Sequence, residues 1–183
     1  MVPTLAAGGI WDTSLFVPKP GWVGICEDSG MRVHIGTDHA GFELKQFLVE
    51  RLTAKGFQVV DHGAIAYDDQ DDYPVYCIAA AEAVLADPGS LGIVLGGSGN
   101  GEQLAANKVR GARAILAWTP ELAVLGRQHN NAQIVSMGAR FTAKDYALEI
   151  AEAFLATPFS AGERHTRRVA QIVHYEQTGS VAD

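Results

Sequence analysis

LGIVLGGSGNGEQLAANK, residues 91–108, is the stretch that decides the fold. Leu91–Leu95 is a short, unbroken apolar run, as in a strand buried on both faces. It leads directly into Gly96-Gly97-Ser98-Gly99-Asn100-Gly101, and a helix is expected to start near Glu102. A buried strand, a glycine-rich turn and a helix, in that order, make up half of a crossover unit and imply a parallel sheet.

The same alternation extends in both directions. Upstream, Arg32–Gly36 reads as a strand. Gly41–Lys55 reads as a helix with Leu44, Phe47, Leu48 and Leu52 on one face, ended by Gly56. Gln58–Asp61 is a second strand. An acidic loop follows with Asp68, Asp69, Asp71 and Asp72, and Pro74 opens a helix that Pro88-Gly89 stops. Downstream, Ala112–Ala117 and Gln133–Met137 are the fourth and fifth strands. Pro120–Gln128, Ala143–Ala156 and Gly162–Gln177 are helices. The pattern predicts an α/β protein: a three-layer Rossmann-like fold, with a five-stranded parallel sheet, helices on both faces and a C-terminal helix. Such sheets take ligands at the carboxyl ends of their strands. Chemistry is therefore expected after Gly36, after Leu95 and after the last two strands.

Composition bounds the reading. The chain has 183 residues, enough for one domain with a full core. A net charge of -7 argues against nucleic-acid and membrane-surface partners, which favour basic proteins. A local arginine cluster can still hold a phosphate. Cys26 and Cys77 offer neither a disulfide framework nor a zinc spacing, and Cys77 reads as a small core residue. No apolar run reaches the roughly 18 residues that span a bilayer, and the first residues lack the features of a signal peptide. A cytoplasmic setting is expected. Residues 1–30, with Pro3, Pro18, Pro20 and five glycines, read as a flexible extension outside the fold, consistent with an upstream start-codon assignment. Alternatively, Trp11, Phe16 and Trp22 anchor an ordered arm on a partner. Residues 31–183 then form the single domain.

Four segments carry candidate chemistry. In the glycine turn, four of six residues are glycine, so backbone N–H groups can converge on an anion. The turn lacks the Gly-Lys-Ser/Thr of a Walker loop and the spacing of a dinucleotide fingerprint. A carboxylate in an anion loop makes sense if the loop holds an oxyanion formed when Glu102 removes a proton. Equally, Glu102 complements the helix dipole. GTDHAGFELK, residues 36–45, puts Asp38 and His39 at a strand end, as ligands to a substrate or as an N-cap and a loop histidine. RQHNNAQIVSMGAR, residues 127–140, offers His129 and Asn130 between a helix end and a strand, with Arg140 just past that strand. GERHTRRVAQIVHYE, residues 162–176, sets Arg164 and Arg168 on one helical face, with Val169, Ile172 and Val173 as its packing face. The two guanidiniums match a phosphate dianion, or form a solvated basic face.

Taken together, these segments resemble the type B ribose-5-phosphate isomerases, within the family that includes the galactose-6-phosphate isomerase subunits. The resemblance spans about residues 32–176. It rests on G-x-DHAG-x-ELK, the glycine loop with E-Q-x-AANK, HNN, and R-H-x-R-R. It implies a Rossmann-like fold, a homodimer with active sites built from both subunits, and no metal or organic cofactor. Carried over, Asp38 and His129 assist ring opening. The backbone of Gly97, Gly99, Asn100 and Gly101 holds the enediolate, and Ser98 shuttles a proton. His39, Arg140, Arg164 and Arg168 bind phosphate, and Asn130 holds sugar hydroxyls. One branch of the family has a cysteine base just after the third strand. Here that position is Gly96, which matches the branch whose base is a glutamate, Glu102.

The expected activity is interconversion of ribose 5-phosphate and ribulose 5-phosphate through a cis-enediolate, in the pentose phosphate pathway. A six-carbon aldose phosphate such as allose or galactose 6-phosphate is the alternative substrate. A non-catalytic phosphosugar-binding regulator is the alternative class.

Overall fold

The computed structural model describes residues 30–181. The extension assigned to residues 1–30 lies, but for Gly30, outside them. The described elements run β1 (Arg32–Thr37), α1 (Phe42–Ala54), β2 (Gln58–Asp61), α2 (Tyr73–Ala86), β3 (Leu91–Gly96) and α3 (Asn100–Ala106). They continue with β4 (Ala114–Leu116), α4 (Pro120–Asn130), β5 (Ile134–Gly138), α5 (Lys144–Ala156) and α6 (Glu163–Thr178). All five strands pair in parallel, in the order β2-β1-β3-β5-β4.

Side chains alternate across the sheet and so divide the core in two. Val33, Ile35, Ile93, Leu95, Val135 and Met137 face one way, against Leu44 and Leu48 of α1 and Ile150 and Phe154 of α5. Val94, Ala114 and Ile134 face the other way, against Cys77, Ala80 and Ala81 of α2 and Ala105 and Ala106 of α3. Cys77 is fully buried, as its apolar surroundings in the sequence suggested. The second layer is rich in alanine, so its helices lie close to the sheet.

Strand order sets the site. From β1 the chain turns outward to β2, and from β3 it leaves toward the opposite edge. The ends of these adjacent strands therefore diverge and leave a crevice at the switch point. Register levels the strand ends: Thr37 pairs with Leu95, and Gly96 with Gly138. Thr37 Oγ1 donates to the Leu95 carbonyl at 2.8 Å and ties β1 to β3 at that rim. The loop after β2 is held there by Lys45. Its ammonium is only 1% exposed and donates to both Asp61 carboxylate oxygens and the Ala64 carbonyl. A buried lysine is tolerable only with such partners.

Three differences from the sequence reading have physical causes. Helix α3 opens at Asn100, two residues before Glu102, because Gly99 takes a left-handed φ of 83° and turns the chain into the helix. Strand β4 is three residues rather than six. The Asn107 side chain accepts from the Ala114 N–H and donates to the Ala114 carbonyl, both at 2.8 Å, and so closes that margin. The expected packing face of α6 is only partly covered by the described residues. Val169 and Val173 are half-buried, but Ile172 and Tyr175 stand 55% and 56% exposed. No residue of α6 is buried.

Candidate active site

Asp38 closes β1 and caps a short 3-10 turn, His39–Gly41, accepting from the Ala40 N–H at 2.9 Å. The capping role read from the sequence is real, and the residue is still placed at the crevice. His39 follows. Its backbone N–H donates to Asp71 Oδ1 at 2.8 Å, and its Nδ1 lies 2.8 Å from the same oxygen.

The glycine turn after β3 is fastened from β5. Ser136 Oγ donates to the Gly99 carbonyl at 2.7 Å, Ala139 N–H to Gly96 at 2.8 Å, and Arg140 N–H to Gly97 at 3.2 Å. The first turn of α3 then brings Glu102 back over the strand end. Its side chain fills the space above Gly96: a Cβ there would lie 1.7 Å from Glu102 Oε1 and 2.2 Å from its carboxyl carbon. Glu102 is 4% exposed, and its Oε2 has no hydrogen-bond partner among the described residues. Burial pushes its pKa up. The Asp38 charge adds to the rise, while the Glu102 and Gly99 N–H groups pull the other way.

A cavity of about 480 Å³ opens beside this carboxyl group. Seven sequence-selected residues line it: Asp38, His39, Gly97, Ser98, Gly101, Glu102 and Arg140. Gly99 is buried beneath the turn and shapes it. Asn100 is exposed, and its N–H and side-chain amide reach Ser98 Oγ at 3.3 Å.

His129, Asn130, Arg164 and Arg168 do not line the cavity of their own chain. His129 and Asn130 do not follow a helix end; they form the last turn of α4, and Asn131 caps it at a left-handed φ of 46°. Arg164 and Arg168 are exposed on α6. The His129 and His165 rings stack, with centroids 4.1 Å apart, and join the two helices.

Three residues near the cavity escaped the sequence reading. Tyr73 backs the glycine turn so closely that a Cβ on Gly101 would lie 2.7 Å from its hydroxyl oxygen. Phe141 stands 82% exposed at the rim. Asp71 holds His39. The run Asp-Asp-Tyr-Pro marked a helix start, but nothing local distinguishes one acid of that loop from another. Donor atoms of Asp38, His39 and Asp71 lie within 4.8 Å of one another, the one such group among the described residues. Asp71 Oδ1 and His39 Nδ1 are already engaged with each other.

A buried carboxyl group of raised pKa meets a cavity edged by backbone amides, with His39 and Arg140 on its lining as donors for an anionic ligand. Such an arrangement can move a proton.

Residues 33–172 match the Ribose/Galactose Isomerase family. The chain belongs to that family. Among its relatives, ribose-5-phosphate isomerase B of Mycobacterium tuberculosis (strain H37Rv) is 57% identical over 150 residues, 82% of this chain and 93% of that protein. The Escherichia coli K12 protein of the same name is 36% identical over 146 residues, 80% and 97% of the two chains. The Mycoplasma genitalium ribose-5-phosphate isomerase B, solved with ribulose-5-phosphate bound, superposes with a TM-score of 0.77 at 37% identity, covering 81% of this chain and 97% of that one. Family membership accounts for the parallel sheet. Among the described residues no helix is long and apolar enough to cross a membrane.

Proposed function

We infer that this chain interconverts D-ribose 5-phosphate and D-ribulose 5-phosphate, as an aldose–ketose isomerase of the type B group. The observation carrying the assignment is Glu102: buried, with one unpartnered oxygen, set against Gly96 beside a cavity in a family of sugar isomerases. In the proposed cycle the furanose opens with help from Asp38, exposing the C1 aldehyde. Glu102 takes the proton from C2. The electron pair moves to the carbonyl oxygen, giving a cis-enediolate held by the N–H groups of Gly97–Gly101, while Ser98 relays a proton between its oxygens. Glu102 then returns its proton to C1, and the ketose forms. His39 and Arg140 grip the phosphate, which supplies positioning without entering the chemistry.

The remaining residues fit a homodimer. His129 would join in ring opening, Asn130 would hold hydroxyls, and Arg164 and Arg168 would hold phosphate, all in the cavity of a second copy. Their place on the α4–α6 corner, outside their own cavity, and an apolar face of α6 that the described residues leave exposed support this. The catalytic unit is residues 31–183, acting in the cytoplasm within the pentose phosphate pathway.

The direct test is an isomerisation assay on ribose 5-phosphate beside allose and galactose 6-phosphates. Turnover with the five-carbon substrate, and little with the others, is expected. Binding without exchange of the C2 proton with solvent would favour a non-catalytic phosphosugar-binding protein. Shared sites predict complementation. Glu102→Gln and Arg168→Ala subunits, each weak alone, regain about a quarter of wild-type activity per chain when unfolded and refolded together, from statistical pairing of intact half-sites. No gain on mixing would place both groups in one chain's site.

A further inference from the structure

Asp71 has a geometry more specific than that of an ordinary loop acid. It lies between β2 and α2, and its side chain is 7% exposed. One oxygen, Oδ1, receives two donors from a single residue 32 positions away: the His39 N–H and the His39 ring, both at 2.8 Å. The exposed Tyr67 ring meets the same imidazole edge-on, centroids 6.4 Å apart at 85°. The ring is held on two sides. Its Nδ1 is engaged inward, and Nε2 has no partner among the described residues, although His39 lines the cavity.

We propose that Asp71 is a positioning residue for substrate binding: it fixes the His39 ring so that Nδ1–H is engaged internally and Nε2–H is presented to the anionic end of the sugar phosphate. The proposal rests on the isomerase reading above. A histidine that must donate from both nitrogens has to be a cation. The surroundings favour the cation. The hydrogen bond to Asp71 is the chief cause of a raised His39 pKa, burial opposes it, and the charges of Asp38 and Asp71 add to it. On the other elements around the ring, Arg140 follows β5 and Glu102 sits on α3. Glu43 of α1 pairs with Lys144 of α5 at 3.3 Å, and the Tyr76 phenol of α2 faces Asp71. The cation is present below the raised pKa and lost above it. Without Asp71 that loss comes at lower pH.

The test is Asp71→Asn, which keeps the side-chain shape and an acceptor for the His39 N–H. KM for ribose 5-phosphate should rise about tenfold at pH 7.5 while kcat changes less than about twofold. Inhibition by inorganic phosphate should weaken in parallel. The KM penalty should shrink as pH falls, because acid favours the His39 cation in both proteins. Asp69→Asn, an exposed acid of the same loop, should leave kinetics unchanged. In a His39→Asn background, Asp71→Asn should add no further loss. Histidine ring nitrogen spectra, which need no turnover, should show the His39 pKa falling in Asp71→Asn. Unchanged KM together with an unmoved His39 titration overturns the proposal, even in an active enzyme. A wild-type protein that fails to isomerise ribose 5-phosphate instead overturns the isomerase reading, and the spectra still decide whether Asp71 holds the ring.

Discussion

Glu102→Gln is expected to lower kcat for ribose 5-phosphate by about a thousandfold or more, with KM changed little. The amide keeps the shape of the group over Gly96 but cannot carry the proton between C2 and C1. Loss of deuterium exchange from solvent into recovered ribose 5-phosphate should accompany the loss of turnover. Retained turnover would reject Glu102 as the base. Stability should move the other way. At low pH the carboxyl is neutral in both the folded and the unfolded chain. As pH rises through the ordinary value of 4.5, the unfolded chain gives up this proton first, and the folded state loses relative stability until pH passes the raised folded value. At neutral pH the buried carboxylate is therefore a burden on the fold, and Glu102→Gln should melt no lower than wild type. The acid limb of the wild-type kcat profile should lie above pH 4.5 for the same reason.

Gly96→Ala should be the second severe lesion. The three atoms nearest the new methyl all belong to the Glu102 side chain, at 1.7 Å for Oε1, 2.2 Å for Cδ and 2.7 Å for Cγ. The backbone of Gly96 does not need a left-handed φ, so alanine fits the chain itself. The flexible carboxyl group must swing aside while the strand stays put. A displacement of this size should cost about a hundredfold in kcat and shift Tm by less than about 5 °C. The two lesions act through one group. Gly96→Ala added to Glu102→Gln should therefore cause almost no further loss, and a multiplicative loss would show that Gly96 acts by another route. A side chain at position 96 and the carboxyl of Glu102 compete for one volume.

The architecture was legible because its signals are local. The apolar run of β3, the glycine turn and the helical period of α1 each lie within a dozen residues. Gln58–Asp61 was bounded to the residue, since Gly56 and the acidic loop flank it closely. What escaped depends on contacts remote in sequence. Asn107 binds the outer polar groups of Ala114 at the start of β4, across a turn. Asp71 meets His39 only after β2 has been laid beside β1. The seating of Glu102 on Gly96 needs the left-handed Gly99 between them, which the glycine count hinted at but could not aim. For α6 the apolar face was read from its period, but periodicity says that a face is apolar and not what covers it.

Asn107 has one more consequence. A three-residue border strand with free amides would be a template on which a neighbouring molecule could continue the ladder. With one carboxamide answering both polar groups of Ala114, that invitation is withdrawn at the first residue of β4. Growth of strand upon strand, the first step toward fibrous aggregation, has one fewer place to begin there.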